Sequence, residues 1–202
     1  MFIQKLYLCI KMARSIEFDE TDIVSRAQDV FWKKGYQATS MQDLVRATGL
    51  NPGSIYNTFG SKHNLFLLCL KNYLQPVQDF NPEKSGNKNS LIILKSYIQG
   101  VVEAGGLTEN ACLSAKASLE MGAADADICG VLKSSANKAF QNYEQLIIRA
   151  QHDHLVRQDL DASALAQLIS ATISGLGQNF ILFKDKKRIE KIVDNLFIMI
   201  TS

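Results

Sequence analysis

Apolar residues recur at helical spacing along most of the chain, and this periodicity limits the fold more than any other feature of the sequence. In the first stripe, Ile23, Ala27, Val30 and Phe31 share one face of a helix that Gly35 ends. No segment alternates apolar and polar residues as a half-buried strand would. The sequence therefore predicts an all-α fold, with later helices in residues 91–103, 111–120, 136–150, 162–183 and 189–200.

The composition excludes several other classes of protein. The 202 residues are 47% hydrophobic and include 12 Gly and 3 Pro, which excludes disordered and collagen-like chains. No run approaches the ~20 apolar residues that span a bilayer, so no membrane partner is expected. Cysteines without any C-x-x-C pair predict neither a zinc module nor a disulfide framework: Cys9, Cys69, Cys112 and Cys129. We expect a cytoplasmic protein with no metal and no cofactor.

Residues 1–15 are expected to form an N-terminal extension before the first folded domain. Residues 1–11 are mildly apolar, but they lack the basic lead and the small-residue cleavage site of a secretory signal. Met12 opens a plausible alternative start, Met-Ala-Arg-Ser. An extension, or a start assigned too early, is therefore favoured over a targeting segment.

The positive charge is concentrated in one short segment. The formal net charge is only +2, yet residues 30–75 carry five basic side chains against the single acidic residue Asp43: Lys33, Lys34, Arg46, Lys62 and Lys71. Such a local excess suits a polyanionic partner for this segment. The alternative is a solvated basic face without a partner.

The same segment has the pattern of two short helices joined by a tight turn. Ser40 opens a capping box, and Gly49 tolerates the left-handed backbone that closes a helix. Asn51 is a good N-cap, and Pro52 is tolerated in the first helical turn. The second helix is expected to end near Gly60. A hairpin of this kind is a helix-turn-helix pattern, in which the second helix is offered to the DNA major groove. Ser61 can cap the helix that follows, and Asp161 can cap the helix that begins at residue 162.

The second short helix has few apolar positions. Only Ile55 and Phe59 are needed to anchor it, and its other positions from 53 to 58 are small or hydrogen-bonding. A purely structural helix would usually present more apolar side chains. The pattern therefore favours an exposed recognition helix, although helix hairpins also build ordinary bundles.

At these residues the sequence resembles the TetR family of transcriptional regulators. The resemblance covers about a quarter of the chain and lies in the stretches FWKKGYQATS (31–40), Leu44, Gly49-Leu50, GSIYNTFGSK (53–62) and Leu65-Phe66. It implies a homodimer in which each chain has a three-helix head, residues 16–62, and a C-terminal helical bundle domain, residues 63–202. That second domain is expected to dimerise and to hold an inducer.

The resemblance also implies roles for individual residues. Tyr56, Lys62 and the amides near Thr39 and Ser40 are expected at phosphates, and Gln42, Asn57 and Thr58 at base edges or the nearby backbone. Gly53 and Ser54 permit a close approach, and Asn51 completes the predicted DNA-binding set. The chemistry of the side chains agrees, because Lys and Tyr suit phosphates and Gln and Asn can bond adenine through a paired donor and acceptor. Each also has a plain structural alternative, such as packing or solvation.

The C-terminal domain offers weaker signals. The last two helices are apolar on more than one face, which favours a four-helix dimer interface, and Gly175 and Gly177 would allow close crossing there or simply bend the helix. The residues around Cys112 resemble a branch of the family with Gly-Cys-Leu, although Ala111 replaces its Gly. In some members of that branch this cysteine senses electrophiles or oxidants. Candidate inducer-binding residues are Tyr97, Cys112, Lys116, Met121, Phe140 and Tyr143.

Lys116 lies one helical turn after Cys112, where an ammonium would favour the thiolate. The alternative is that Cys112 is a small buried hydrophobe. His152 and His154 at i, i+2 point to different helix faces and predict no metal site.

Together these features predict a dimeric DNA-binding regulator, most simply a ligand- or electrophile-responsive repressor. Its partners would be a pseudo-palindromic double-stranded operator and a small-molecule inducer. The alternative is a dimeric helical small-molecule-binding protein with weak or lost DNA binding. No phosphate loop, nucleophile elbow or carboxylate–histidine set indicates an enzyme.

Overall fold

The computed structural model describes residues 19–86, 89–105, 110 and 112–201, and it is all-helical within those ranges, as predicted. The expected extension, residues 1–15, lies outside the described residues. None of the described helices is long and apolar enough to cross a membrane. The helices are α1 Glu20–Lys34, α2 Met41–Thr48, α3 Pro52–Phe59, α4 Lys62–Gln78, α5 Ser90–Gly105, α6 Leu113–Met121, α7 Ala126–His152, α8 Ala162–Phe183 and α9 Lys186–Ile200.

Short polar side chains begin most of these helices. Each accepts a hydrogen bond from a backbone N–H of the first turn, which satisfies a group that has no partner inside the helix. The caps at Ser40, Asn51, Ser61 and Asp161 were predicted and are confirmed, and the structure adds Asp19, Asp125 and Asp185. α6 begins at Leu113 rather than at Ala111, and its N-cap residue, Cys112, makes no side-chain capping bond.

Two apolar cores hold the helices together. The first joins α1, α2 and α3 to one face of α4, and it continues into α6 and the start of α7 through Leu113, Ala117 and Ile128. The second lies among α5, α7, α8 and α9. The three-helix head is therefore not closed by its own residues. It needs apolar side chains that lie far along the chain to complete its core.

Gly35, Gly49 and Gly60 each end a helix of the head with a positive φ, and the first two differ in the room around them. Gly49 closes α2 at φ +73 and ψ 1, and apart from its chain neighbours no atom of the described residues lies within 4 Å of the position a Cβ would take. Gly35 closes α1 at φ +82 and ψ 174, and an added Cβ would overlap the carboxylate of Glu120. Both conformations strain L-residues, and that of Gly35 is almost restricted to glycine.

We therefore expect Gly35→Ala to destabilise the protein more than Gly49→Ala does. Gly49→Ala adds only left-handed strain, about 1–2 kcal/mol. Gly35→Ala adds comparable strain and displaces Glu120, for a total loss of about 2–4 kcal/mol. Urea unfolding followed by circular dichroism measures both changes in the free energy of unfolding. Equal losses would contradict the close approach of Glu120 to Gly35.

Candidate nucleic-acid interface

The turn between α2 and α3 is fixed by backbone and capping bonds. Ser40 Oγ accepts from the N–H of Asp43, and the carboxylate of Asp43 accepts from the N–H of Ser40, so the predicted capping box is present. Gly49 N–H donates to the carbonyl of Val45 at 2.9 Å. Two residues later Asn51 Oδ1 accepts from the N–H of Ser54 at 2.9 Å and begins α3. These local bonds set α3 at a fixed angle to α2.

α3 has one buried face and one exposed flank. Ile55 and Phe59 are buried in the core of the head, as predicted. Tyr56 is 47% exposed, and Asn57 and Gly53 are also exposed. The polar flank of α3 therefore faces outward, which is the property a recognition helix requires.

The other predicted contact residues divide by exposure. Ser40, Gln42 and Asn51 are exposed, whereas Ser54, Thr58 and Lys62 are half-buried. The prediction for Thr39 concerned its backbone amide; its side chain is buried, and its hydroxyl donates to the carbonyl of Gly35 at 2.6 Å. Its N–H donates to the carbonyl of Tyr36 at 3.3 Å. Thr39 thus supports the loop from inside, and its side chain does not reach the surface.

The acidic residue of this face is neutralised inside the head. Lys34 Nζ lies 2.6 Å from Asp43 Oδ1, and the hydroxyl of Ser40 donates to Asp43 Oδ2 at 2.7 Å. The bonds from Lys34 and Ser40 hold the pKa of Asp43 well below its ordinary value. A neutralised carboxylate repels a polyanion less, so the exposed cations Lys33 and Arg46 keep the face positive.

Lys62 lies against an aromatic ring at the edge of the head. Its Nζ is 4.4 Å from the centroid of the Tyr36 ring. Partial burial lowers the pKa of Lys62, and the nearby carboxylate of Glu120 opposes that shift. The sequence did not predict this contact between a cation and an aromatic ring, which gives the Lys62 side chain a defined direction.

Helix α6 contacts the head through two charged side chains, and we call this contact the α6 junction. Lys116 Nζ donates to the carbonyl groups of Trp32 at 2.6 Å and Lys33 at 3.3 Å, at the C-terminal end of α1. Glu120 Oε2 accepts from the N–H of Gln37 at 2.9 Å. A cation at a helix C-terminus and a carboxylate on a free N–H are both favourable. From the sequence, the ammonium of Lys116 was expected beside the thiol of Cys112. In the structure it donates to backbone carbonyls of α1 instead.

A second polar link joins the head side of α4 to the start of α7. His63 Nε2 lies 2.7 Å from Asp125 Oδ2, while Asp125 Oδ1 caps α7. The hydrogen bond that Asp125 accepts from the N–H of Ile128 is the main cause that lowers the pKa of Asp125, and the contact with His63 lowers it further. Burial, with a smaller contribution from Asp125, raises the pKa of Tyr36. Asp127 brings a third ligand-type atom within 4.8 Å of this pair.

A cavity of about 610 Å³ lies among α4, α5 and the start of α6. Tyr97 and Cys112, two of the six predicted inducer-binding residues, line it, together with the unpredicted Tyr73 and Phe80. The other four do not, which corrects their placement: Lys116 bonds to α1, Met121 is in the head core, Tyr143 is buried behind Tyr97, and Phe140 packs on the second core.

The cavity and the α6 junction share one helix face. Cys112, Lys116 and Glu120 follow one another at i, i+4 and i+8. Cys112 Sγ accepts from the hydroxyl of Tyr73 at 3.5 Å and lies 2.9 Å from Ser114 Oγ. α6 therefore connects the cavity at its start to the residues that hold the end of α1.

An exposed polar helix carried by a tight helix hairpin, on a helical domain with a ligand-sized cavity, defines a DNA-binding transcriptional regulator of the helix-turn-helix class. The family model described as bacterial regulatory proteins, tetR family, matches residues 23–69. This match covers the head as the structure shows it, and the relatives below agree with it over most of the chain. Residues 23–69 therefore form a TetR-family DNA-binding domain, and the chain as a whole is similar to TetR family transcriptional regulators.

The curated relatives include two regulators that match over most of their length. The HTH-type transcriptional regulator YezE of Bacillus subtilis (strain 168) is 29% identical over 91% of this chain and 96% of its own. The HTH-type transcriptional repressor ComR of Escherichia coli (strain K12) is 26% identical over 83% of each chain.

Solved structures share the fold. A cysteine mutant of the TetR family transcriptional regulator CifR, complexed with 26-base-pair double-strand operator DNA, superposes with a TM-score of 0.78. It has 22% identity, over 93% of this chain and 100% of its own. A TetR family regulator from Agrobacterium tumefaciens gives a TM-score of 0.79 with 20% identity, over 90% and 97% of the two chains.

The α6 junction predicts a measurable effect on the head. We expect Glu120→Ala to speed hydrogen exchange at the backbone amide of Gln37 by roughly 10- to 150-fold, because a bond to a charged acceptor is lost. Hydrogen exchange followed by NMR measures this rate. Glu103→Ala, at an exposed site on α5, is the matched control and should leave the rate unchanged. Unchanged exchange in Glu120→Ala would disprove the contact.

Proposed function

We propose that this regulator is a homodimeric repressor that binds a pseudo-palindromic operator through α3 and releases it when a small molecule enters the cavity. The exposed polar flank of α3 is the single observation that carries this proposal. The relative ComR is named as a repressor, and the CifR mutant is complexed with operator DNA, which supports both parts. The proposed division is a head at residues 16–62, of which 16–18 are not described, and a regulatory domain at 63–202.

Within this function, the exposed residues of the hairpin have distinct tasks. Tyr56 and Lys62 contact phosphates, where a hydroxyl and a point charge are both effective. Gln42 and Asn57 reach base edges, because their amides both donate and accept. Small side chains at Gly53 and Ser54 let the backbone approach the DNA. Ser40, Asn51 and Thr58 complete the surface.

The outer face of α8 supports dimerisation. Residues at alternating steps of four and three form one stripe with many small or apolar members, all exposed except the half-buried Gly175: Ala164, Leu168, Ala171, Gly175, Gln178 and Leu182. Apart from its chain neighbours and its own helix backbone, no atom of the described residues lies within 4 Å of a Cβ built on Gly175, whereas Gly177 is buried. On α9, Ile198 and Met199 are also exposed. A second copy packed on this face would bury these residues as a four-helix interface.

A dimer places two copies of α3 on one side of the molecule. Such heads read two half-sites about 34–36 Å apart, one turn of the duplex. An effector acts by binding more tightly to the conformer whose heads are wrongly spaced, and its effect is limited by that difference in affinity. The shared face of α6 supplies the connection, because it lines the cavity at Cys112 and holds α1 at Lys116 and Glu120.

Two further parts of the proposal concern the location of the protein in the cell and the reactivity of the Cys112 thiol. The regulator acts in the cytoplasm and is not an enzyme, as expected of a protein whose relatives are transcriptional regulators. In the electrophile-responsive form of this function, the thiol of Cys112 reacts inside the cavity. Its exposure to the cavity supports this form, but the bonds of Lys116 to the head remove the ammonium that was expected to activate it.

DNA binding tests the proposal directly. In a gel-shift titration we use a duplex that the wild-type protein selects from a random-sequence pool. We expect Tyr56→Phe with Lys62→Gln to weaken binding by roughly 10- to 150-fold, because bonds to charged phosphates are lost. The slope of log affinity against log salt should fall by about 1 per protomer. Gln at 62 keeps the stem that packs on Tyr36, so the head should still fold.

Lys71→Gln is the matched control for charge. Lys71 is an exposed residue on the same helix, roughly 13 Å beyond Lys62 along the axis. It should leave both the affinity and the salt slope near wild type. If the wild-type protein selects no duplex even at low salt, the alternative of a small-molecule-binding protein without DNA affinity is favoured.

The proposed dimer face is tested by one pair of variants. Leu168→Glu places a charge in the stripe and should yield monomers of 22.5 kDa, whereas the wild type should have twice this mass. Ile148→Glu makes the same change at a residue of α7 that is 52% exposed, compared with 46% for Leu168, and should stay dimeric. Sedimentation equilibrium measures both masses. Dissociation by both variants alike would count against the α8 face.

A further inference from the structure

The described part of the lining of the cavity among α4, α5 and α6 carries no formal charge. None of the described residues that line it is Asp, Glu, Lys, Arg or His. A charged molecule would enter this space without an ionic partner and would lose much of its hydration, which is costly. The lining therefore selects against ions of either sign.

Three aromatic side chains line the cavity among aliphatic and small ones: Tyr73, Phe80 and Tyr97. Phe80 and Tyr97 are stacked with ring centroids 3.8 Å apart and an angle of 16° between their planes. Tyr143 supports Tyr97 from behind, with centroids 5.3 Å apart. Tyr73 forms another part of the wall and packs edge-on against Trp32 of the head. Flat aromatic faces of this kind pack best against a flat molecule.

Two tyrosine hydroxyls of the cavity wall can act as hydrogen-bond donors. The hydroxyl of Tyr97 accepts from Asn142 Nδ2 at 3.2 Å, and this bond leaves its own proton for another acceptor. The hydroxyl of Tyr73 donates to Cys112 Sγ at 3.5 Å, and sulfur is a weak acceptor. Burial raises the pKa of both tyrosines, so both hydroxyls keep their protons at neutral pH.

We infer that the effector of this regulator is a neutral, largely planar molecule with a carbonyl-type acceptor, and that the hydroxyl of Tyr97 donates a hydrogen bond to that acceptor. The inference rests on the proposed function, in which this cavity is the effector site. A volume of about 610 Å³ is in the range that holds small organic ligands. Tyr73 can turn from Cys112 to the same molecule, which connects occupancy to the start of α6.

Charge selection is tested with two fluorescent probes that share one skeleton. N-phenyl-1-naphthylamine is neutral, and 8-anilinonaphthalene-1-sulfonate carries one added sulfonate. We expect the neutral probe to bind the protein at least roughly tenfold more tightly. Gly100→Phe should abolish this binding, because a side chain there enters open space beside the cavity. Gly130→Phe, at an equally open glycine of α7, should not. Equal affinity for the two probes, or binding unchanged by Gly100→Phe, would overturn the inference.

The acceptor is tested with 9-fluorenone and fluorene, which differ by a carbonyl oxygen. Each displaces the neutral probe from the protein in a fluorescence titration. Fluorenone should bind roughly 2- to 12-fold more tightly than fluorene, the value of one neutral hydrogen bond. Tyr97→Phe should reduce this ratio to near one, whereas Tyr143→Phe, behind the cavity wall, should leave it intact. Because the result is a ratio on one variant, a partial folding defect cancels. If the wild-type protein binds fluorene as tightly as fluorenone, the proposed hydrogen bond to a carbonyl acceptor is refuted.

The failure of this inference is distinguishable from that of the proposed function. All probe titrations use the full chain without DNA, and the gel shift uses no probe. A protein that fails to bind DNA but shows the expected ratios has this ligand preference without the proposed function. If the protein binds DNA but has equal affinity for the two members of each probe pair, the proposed function stands and the inferred ligand class is wrong.

Discussion

The hydrogen bonds between α6 and the end of α1 are the interaction on which the rest of the structure depends. Lys116 and Glu120 bond to backbone groups of Trp32, Lys33 and Gln37 rather than to side chains. Backbone groups at a helix end cannot move without the whole helix, so these bonds fix the position of the head relative to the regulatory domain. Gly35 permits the contact, because only a residue without a Cβ leaves room for the Glu120 carboxylate. The same helix face reaches the cavity at Cys112, so one helix contacts both the cavity and the head.

The exposed surface of α3 depends on how few of its side chains are needed to hold it in the core. Two buried side chains, Ile55 and Phe59, hold α3, and the cap at Asn51 fixes where it starts. A helix of two turns has no further apolar contact to lose, so its remaining side chains are free for recognition. The pair of Lys34 with Asp43 removes the negative charge from this face. Stability and recognition therefore use different residues of the same short helix.

Predictions from the sequence succeeded where neighbours in sequence decide the outcome. The capping box at Ser40, the N-caps at Asn51 and Ser61 and the left-handed Gly49 all depend on residues at most a few positions apart. Predictions failed where distant segments compete for one side chain. Lys116 lies one turn from Cys112, yet it bonds to a carbonyl 84 positions away. Met121 was expected near the inducer, but its side chain packs in the core that contains the head.

The sequence by itself determined the helical fold, the capped helix ends of the head and the helix-turn-helix pattern, because periodicity and capping are local properties of the chain. It also carried the family signature within that head. Only the tertiary structure decided which residues line the cavity and which hold the head. Tyr73, Phe80 and Tyr97 belong to different segments, and an unmarked aromatic residue serves equally well in a core or in a cavity wall. Which of these it becomes depends on how closely the helices pack, and that packing is settled by the whole chain at once.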